Sequence, residues 1–550
     1  MNPTLATNKW KAAFSWESLG VAVLLLLGAL LRIRQYLTGR SLWVDEAMLA
    51  LNIVNRNFAG MFKPLDYDQG SPIGFLLAEK IFNVLLGKNE FALRLFPLLV
   101  GLISLWLFTL LLERVFNCWS GLSHLPDLPS KSRAVPGNPD QSLAEQTKTV
   151  ELRSRRTLSG AGLLTALALF ALNPRLVYYS SEVKQYIVDV AVTISLLLIA
   201  APLFSPAPRK KHFAWLALAG FVALWFSHPA LFVLAGIGLA LVIMTLQRRD
   251  YSSLRALIGI GLLWLLDFAF LYLLVLKDLS RNPYMREYWQ GAFLPVPPWS
   301  DPAWFTTTIA QDIKVQFGMP YAVFLVFALM LVGWIVLFFQ NRPYALAFAC
   351  ILFTTLTASA LQFYPVFERM ILFLVPIGII LLGKSVEALY QWSHKSRPLG
   401  VFAVCLLAGA LLYGPAVTSL HAFIQPKYPE HIRPTMDYLH ASWKDGDAMF
   451  VSNGALPAFR FYVPFYGLER VSYQFGRRED YQHPENILRQ LDAFKGQPRL
   501  WVLFSHVYEK GDFNEKDYLV NYLNQIGDKK REFRVPGTSV YLYLYDLKNK

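Results

Sequence analysis

Charge is what this chain has least of. Asp, Glu, Lys and Arg make up 16% of its 550 residues, against roughly 25% in ordinary soluble domains, which excludes a soluble enzyme and a disordered chain. Cysteine is scarce too: Cys118, Cys350 and Cys405 stand far apart, so there is no disulfide framework and no CxxC metal pair. No Gly-rich loop of the P-loop or Rossmann kind occurs, which disfavours an ATP-driven pump or a nucleotide-sugar enzyme. What is abundant is apolar. Hydrophobic residues reach 55%, with 15 Trp, 26 Tyr and 40 Phe, and the mean hydropathy is +0.36. Aromatics at that density fit a protein that packs them at membrane interfaces. The formal net charge is +14, and residues 421–550 are near balance, so the excess lies in short loops between apolar runs. Nucleic-acid binding needs a clustered basic face. Scattered loop cations fit anionic lipid headgroups instead.

Eleven apolar runs are long enough to read as membrane helices, some only if tilted or shielded. They lie near 19–31, 93–112, 158–173, 186–204, 213–227, 230–246, 256–275, 320–339, 344–362, 370–383 and 399–419. The first follows Lys9 and Lys11 but lacks a small-residue cleavage site, so it reads as a retained span. Lys and Arg favour the tail, segment 113–157, Arg209 to Lys211, Arg248-Arg249 and Lys384 to Arg397. Those loops are predicted cytoplasmic, with 33–92, 174–185, 276–319 and 363–369 outside. The expected protein is a multi-pass inner- or plasma-membrane protein with a cytoplasmic N-terminus and a transmembrane domain over 1–420. Segment 113–157, rich in Pro, Ser, Gly and charge, is expected to be a flexible cytoplasmic loop. Residues 421–550 alternate strand-like runs (448–452, 471–475, 500–504, 540–545) with helical ones (431–441, 484–494, 514–526). That pattern predicts a small extracytoplasmic α/β domain.

The first outer loop holds candidate chemistry. From Trp43-Val44-Asp45-Glu46 onward, apolar residues at 44, 48, 51, 54 and 58 predict an interfacial helix. Ser71-Pro72 should start a second one, through Leu86. Asp45 and Glu46 in a first turn favour the helix dipole; equally, one of them can be a partly desolvated base that takes a proton from a hydroxyl. Adjacent helix positions do not share a face, so one acid can serve a cavity while the other binds the scaffold. Asp66-Tyr67-Asp68 spells a DxD that leaves room for a divalent metal ion, although so short a match is common by chance. In the second outer loop, a helix from Ser181 would put Glu182, Gln185 and Asp189 on one face. Asp189 would then be either functional or paired with Lys184 or Arg175. His228 reads as a turn residue, and Asp267 as a partnered acid or a proton relay. Arg369, after Phe363 to Glu368, either snorkels or presents its fork to a lipid-linked phosphate.

Taken in order, Trp43 to Ala47 after a first span, Gln69 with Ser71-Pro72, Glu182 heading a later span and Glu368-Arg369 before a late one resemble the GT-C glycosyltransferases. The likeness is to the branch of families 39 and 83, which holds protein O-mannosyltransferases, lipid A aminoarabinose transferases and Rgt-like bacterial enzymes. It covers about 15–385. Ser71-Pro72 replaces that branch's Pro-Pro pair, and Arg369-Met370 its Arg-Tyr pair. The resemblance implies a GT-C fold and inverting transfer of a sugar from a polyprenyl-phosphate donor to a hydroxyl of a glycan, lipid or protein acceptor on the outer face. It implies Asp45, Glu46 and Glu182 as the catalytic acids. Asp68, Gln69, Lys184, Tyr186 and Arg369 are the expected substrate contacts. A transporter or flippase of lipid-linked sugars is the alternative, for which Asp189 and Asp267 speak; it would call for acids at the bilayer midplane and two related halves. A membrane-anchored binding protein is a third class, and it would not need the acidic loops.

Overall fold

The computed structural model describes residues 16–116, 160–392, 397–469, 471–481 and 483–548. The expected loop 113–157 lies almost wholly outside the described residues, as do Lys9, Lys11 and Cys118. Each of the eleven apolar runs falls in a helix, and eight described helices are long and apolar enough to cross a membrane. The other three positions hold Trp16–Leu37, the short Gly160–Leu172 and the 17-residue Lys210–Phe226. Local chemistry sets several starts. Asn89 accepts the Ala92 N–H at the head of Glu90–Val115, and Asn173 caps Pro174–Tyr179, which has Pro at its first position. The chain is a multi-pass helical membrane protein with a strand-containing region at its C-terminus.

Two expectations about the loops are corrected. The helix Val44–Asn55 exists, but its apolar side is not the 44/48/51/54/58 stripe. Glu46, Ala47, Leu49, Ala50 and Ile53 are buried with Val44 and Leu51, while Phe58 is exposed. The reason is that this helix is covered by Ile73–Leu86 on one flank and by Leu456–Tyr462 of the C-terminal region on another. Ile73–Leu86 keeps Ile81, Val84 and Leu85 exposed, an apolar face for a membrane surface. Secondly, the helix from Ser181 that would have aligned Glu182 with Asp189 does not form; the span begins at Tyr186, where the apolar run 186–204 begins. Residues 181–185 are a turn, so Glu182 lies on no helix face with Asp189. Gly101 lets this turn press on the span Glu90–Val115, since a Cβ there would meet Ser180 Oγ at 2.3 Å.

The C-terminal strands are β1 (Ala448–Val451), β2 (Tyr473–Phe475), β3 (Leu500–Phe504), β4 (Glu509–Lys510), β5 (Phe513–Asn514), β6 (Asp528–Arg534) and β7 (Tyr541–Asp546). One sheet has the order β2-β1-β3-β7-β6, with β1 parallel to β2 and β3 and β7 antiparallel to β3 and β6; β4 and β5 pair separately. Period-two alternation divides the side chains. Phe450, Val502, Phe504, Tyr543 and Tyr545 pack with Leu491, Leu519 and Leu523 of the outer helices. Met449, Val451, Trp501, Leu503, Leu542 and Leu544 join the same apolar core as Leu49, Leu76 and the spans. The sheet therefore sits on one end of the helical bundle through continuous packing.

Candidate active site

At that covered end, side chains from four separate segments converge. Asp45 occupies the first turn of Val44–Asn55. Its two oxygens lie 3.2 Å from Lys184 Nζ and 3.2 Å from Arg369 Nη2. Gln69 bridges, donating from Nε2 to Asp45 Oδ1 (3.4 Å) and accepting from Lys184 Nζ at Oε1 (2.6 Å). The Arg369 guanidinium lies over Trp43 and Tyr186, 5.8 and 5.9 Å from the ring centroids, near enough for cation–π attraction. Asp45, Gln69, Lys184, Tyr186 and Arg369 thus form one cluster. Arg369 pairs with Asp45, not with its neighbour Glu368.

Burial works against charge on Asp45, but Lys184 and then Arg369 outweigh it and hold the carboxyl below the usual carboxylate range. Burial lowers the Lys184 ammonium; Asp45 partly restores it and Arg369 opposes. An aspartate caught between two cations stays ionised and is a weak base. An anion that takes over both cations would free it to accept a proton.

Glu46 and Glu182, expected as catalytic acids, are fully buried. Glu46 accepts from Arg94 Nε (2.9 Å), Arg94 Nη2 (2.5 Å) and the Val183 N–H (2.9 Å), with Arg40 at 4.0 Å. It ties the Asp45 helix to the span from Glu90 and to the turn bearing Lys184. Glu182 Oε1 accepts from the Trp43 indole, while Oε2 is buried without a hydrogen-bond partner. Burial, then the nearby Glu46, raises the Glu182 carboxyl and favours its protonated form.

Asp68, expected at the substrate, lies outside this cluster and accepts from Asn282 Nδ2 (2.6 Å) and Arg478 Nη1 (2.9 Å). Asp66 turns the other way, to Arg56 at 2.8 Å. The DxD carboxylates therefore do not converge, and no group of three or more His, Cys, Asp or Glu side chains comes together among the described residues. These acids do not fit a divalent ion. Asp189 is buried in its span without Lys184 or Arg175 as partner: Lys184 goes to Asp45, and Arg175 Nε to the Val315 carbonyl at 3.4 Å. Asp267 accepts from Trp225 Nε1 at 3.1 Å, a partnered acid. Tyr67, Asp68 and Glu368 hold left-handed φ values of 64°, 53° and 44°, a strain that collects where loops are fixed for function.

Several contributors were not singled out by sequence reasoning. Arg94 is a charge inside an apolar run, which is itself a signal. Arg40 lies over Tyr178, 4.5 Å from the ring centroid, and donates to Ser181. From the C-terminal region, Glu430 accepts the Val44 N–H at the start of the Asp45 helix and His506 in turn holds Glu430; the run Tyr428-Pro429-Glu430 stands out in the sequence, but nothing local ties it to that helix.

No protein-family model matches this chain, and no curated protein matches it. Solved structures do. ArnT from Cupriavidus metallidurans in the apo state aligns with a TM-score of 0.52 at 15% identity, over 97% of this chain and 98% of that one. The same enzyme bound to undecaprenyl phosphate aligns with the same figures. An oligosaccharyltransferase from Archaeoglobus fulgidus, crystallised with Zn and sulfate, aligns over 87% of this chain and 67% of that one, at 12% identity and a TM-score of 0.49. The likeness to ArnT bears out the GT-C fold expected from the sequence.

Proposed function

We propose that this protein is a membrane glycosyltransferase that moves a sugar from a polyprenyl-phosphate donor to an acceptor hydroxyl on the non-cytoplasmic face. The observation that carries the reading is the Asp45 carboxylate held between Lys184 and Arg369, 3.2 Å from each. Two adjacent cations are what a phosphate leaving group needs, and a carboxylate beside them is what an attacking hydroxyl needs. The ArnT structure with bound undecaprenyl phosphate, similar over nearly the full chain, supports a donor of that class.

The donor phosphate displaces Asp45 from Lys184 and Arg369, and the freed carboxylate becomes more basic. The acceptor oxygen then attacks the anomeric carbon from the face opposite the phosphate while its proton passes to Asp45. The bond from that carbon to the phosphate oxygen breaks, and the phosphate leaves with the electron pair, stabilised by Arg369 and Lys184. The anomeric centre inverts. Gln69 orients Lys184 and Asp45, and Tyr186 with Trp43 flanks Arg369. Glu46 and Glu182 act by fixing this frame, and Asp68 by fixing the loop that presents Gln69. The α/β region lies on the same outer face, and the N-terminus is cytoplasmic.

The test is twofold. Deleting the gene should change the mass of one lipid-linked glycan or glycoprotein by one sugar. Purified protein in nanodiscs should bind undecaprenyl phosphate and lose that binding in the Lys184→Ala/Arg369→Ala double variant. Full binding by the double variant would remove the phosphate site. Unchanged envelope glycans together with movement of intact lipid-linked sugar across vesicles would favour a flippase.

A further inference from the structure

The C-terminal region does more than cover the bundle. Within six residues leading into Asp45, it grips the backbone four times. Arg433 Nη2 donates to the Gly39 carbonyl. Ser41 N and Oγ lie 3.4 and 2.8 Å from His431 Nδ1. The Leu42 N–H donates to the Tyr462 hydroxyl (2.9 Å), which donates to Glu90 Oε1 (2.8 Å). The Val44 N–H donates to Glu430 Oε2 at 2.8 Å. A second set reaches the Gln69 loop: Arg460 Nη1 donates to the Tyr67 hydroxyl (3.2 Å) and Arg478 Nη1 to Asp68 Oδ2 (2.9 Å).

The Glu430 contact differs in kind from the others. The first N–H groups of a helix have no partner within it, and a capping side chain normally supplies one. Trp43, in the cap position of Val44–Asn55, supplies none. Glu430 does so from 386 residues away in sequence, and its negative charge meets the positive end of the helix dipole. It is itself held: His506 Nδ1 lies 2.8 Å from Glu430 Oε1, and Glu430 is 8% exposed. His506 is fixed in turn, with φ at 49°. Its carbonyl lies so close to Gly454 that a Cβ there would meet it at 2.4 Å.

We propose that Glu430, backed by His506, is a positioning residue of the active centre: it sets the first turn of the helix that carries Asp45, so that the C-terminal region governs turnover. This rests on the reading of Asp45 as the base. Lys184 and Arg369 come from other segments, so the donor contacts survive the loss of Glu430 while the base shifts. A displacement of about 1 Å at a reacting group costs on the order of a hundredfold in rate.

The experiment uses the full-length protein in nanodiscs, with a panel of undecaprenyl-phosphate-linked hexoses and pentoses as donors. Glu430→Ala should lower kcat by about tenfold to a hundredfold and leave the donor KM within about twofold. Glu430→Gln keeps an oxygen for the Val44 N–H but loses the charged hold on His506, and should fall between. In parallel, hydrogen–deuterium exchange at residues 44–47 should speed up by about tenfold in Glu430→Ala, the fold-change of a lost cap. Exchange in the spans should not change. A kcat within twofold of wild type in Glu430→Ala, or unchanged exchange at 44–47, overturns the proposal. So does a loss of kcat matched by an equal loss of folded protein in both variants. If wild-type protein transfers no sugar from any donor, the glycosyltransferase reading fails, and the exchange arm still decides whether Glu430 sets this helix.

Discussion

Replacing Glu46 with Gln should destabilise the protein by about 3–5 kcal/mol, the cost of breaking a buried ion pair from one side. The structure gives the reasons. Glu46 is fully buried and receives three hydrogen bonds, two from Arg94 and one from the Val183 N–H, with the Arg40 guanidinium at 4.0 Å. Gln can still accept through its single oxygen, but the buried Arg94 guanidinium then loses the carboxylate to which it donates twice. The pH dependence carries a definite sign. Burial alone would raise the Glu46 carboxyl, but Arg94 and then Arg40 outweigh it and hold it below the ordinary range. A carboxylate depressed on folding stabilises above its unfolded pKa, about 4.3, and that stability is lost as pH falls through the folded value. The gap between wild type and Glu46→Gln should therefore be full at pH 7 and begin to close below about pH 4. Equilibrium unfolding in detergent, followed by Trp fluorescence from pH 3 to pH 8, measures it. A loss under about 1 kcal/mol at pH 7, the scale of a surface pair, would refute the reasoning. So would a gap that stays constant down to pH 3.

Other outcomes follow from the same contacts. Arg369→Lys keeps the charge but loses the fork, so the donor KM should rise by about tenfold, and further in Arg369→Ala; steady-state kinetics with varied donor reads this, and an unchanged donor dependence would leave Arg369 as an interfacial anchor. Glu182→Gln should retain more than about half of the activity, because a raised carboxyl is already neutral when protonated and the amide oxygen still accepts from Trp43. Glu182→Ala should lose more in the same turnover assay, and equal losses would argue for a titrating Glu182. Asp66 is 70% exposed and pairs with Arg56, so Asp66→Ala should leave turnover within about twofold; a collapse restored by added divalent ion would revive the DxD as a metal site. A reporter fused after Lys550 should be active only outside the cytoplasm, and cytoplasmic activity would invert the proposed orientation.

Much of the fold was legible because hydrophobic periodicity survives in a single sequence. Each apolar run became a helix, and the four strands expected near 448–452, 471–475, 500–504 and 540–545 all occur. What escaped was short or polar. β6 reads Asp-Lys-Lys-Arg-Glu-Phe-Arg and is an exposed sheet edge with no apolar alternation to betray it. Leu456–Tyr462 has only seven residues, too few for a 3.6-residue period to show, yet it covers the Asp45 helix and explains why the expected apolar stripe was misplaced. At the candidate site, residue type pointed to Asp45 and Arg369, and the resemblance to Gln69, Lys184 and Tyr186; the five do come together. Direction was not. Whether Asp45 or Glu46 faces the cluster depends on where Arg94 lies, and Asp68 turns away because Arg478, 410 residues later, draws it. Partners so distant in sequence leave no local pattern.

The most direct test of the central claim is Asp45→Asn, measured for sugar transfer and for undecaprenyl phosphate binding on the same purified protein. Asn keeps the size and the hydrogen bond to Gln69 but cannot take a proton at neutral pH. It also ceases to compete for Lys184 and Arg369. The account predicts that transfer falls by at least about a hundredfold, at the lower end of what a positioned general base contributes, while the lipid phosphate binds as tightly as to wild type or more tightly. Near-normal transfer by Asp45→Asn, or loss of lipid phosphate binding in a folded variant, would contradict it.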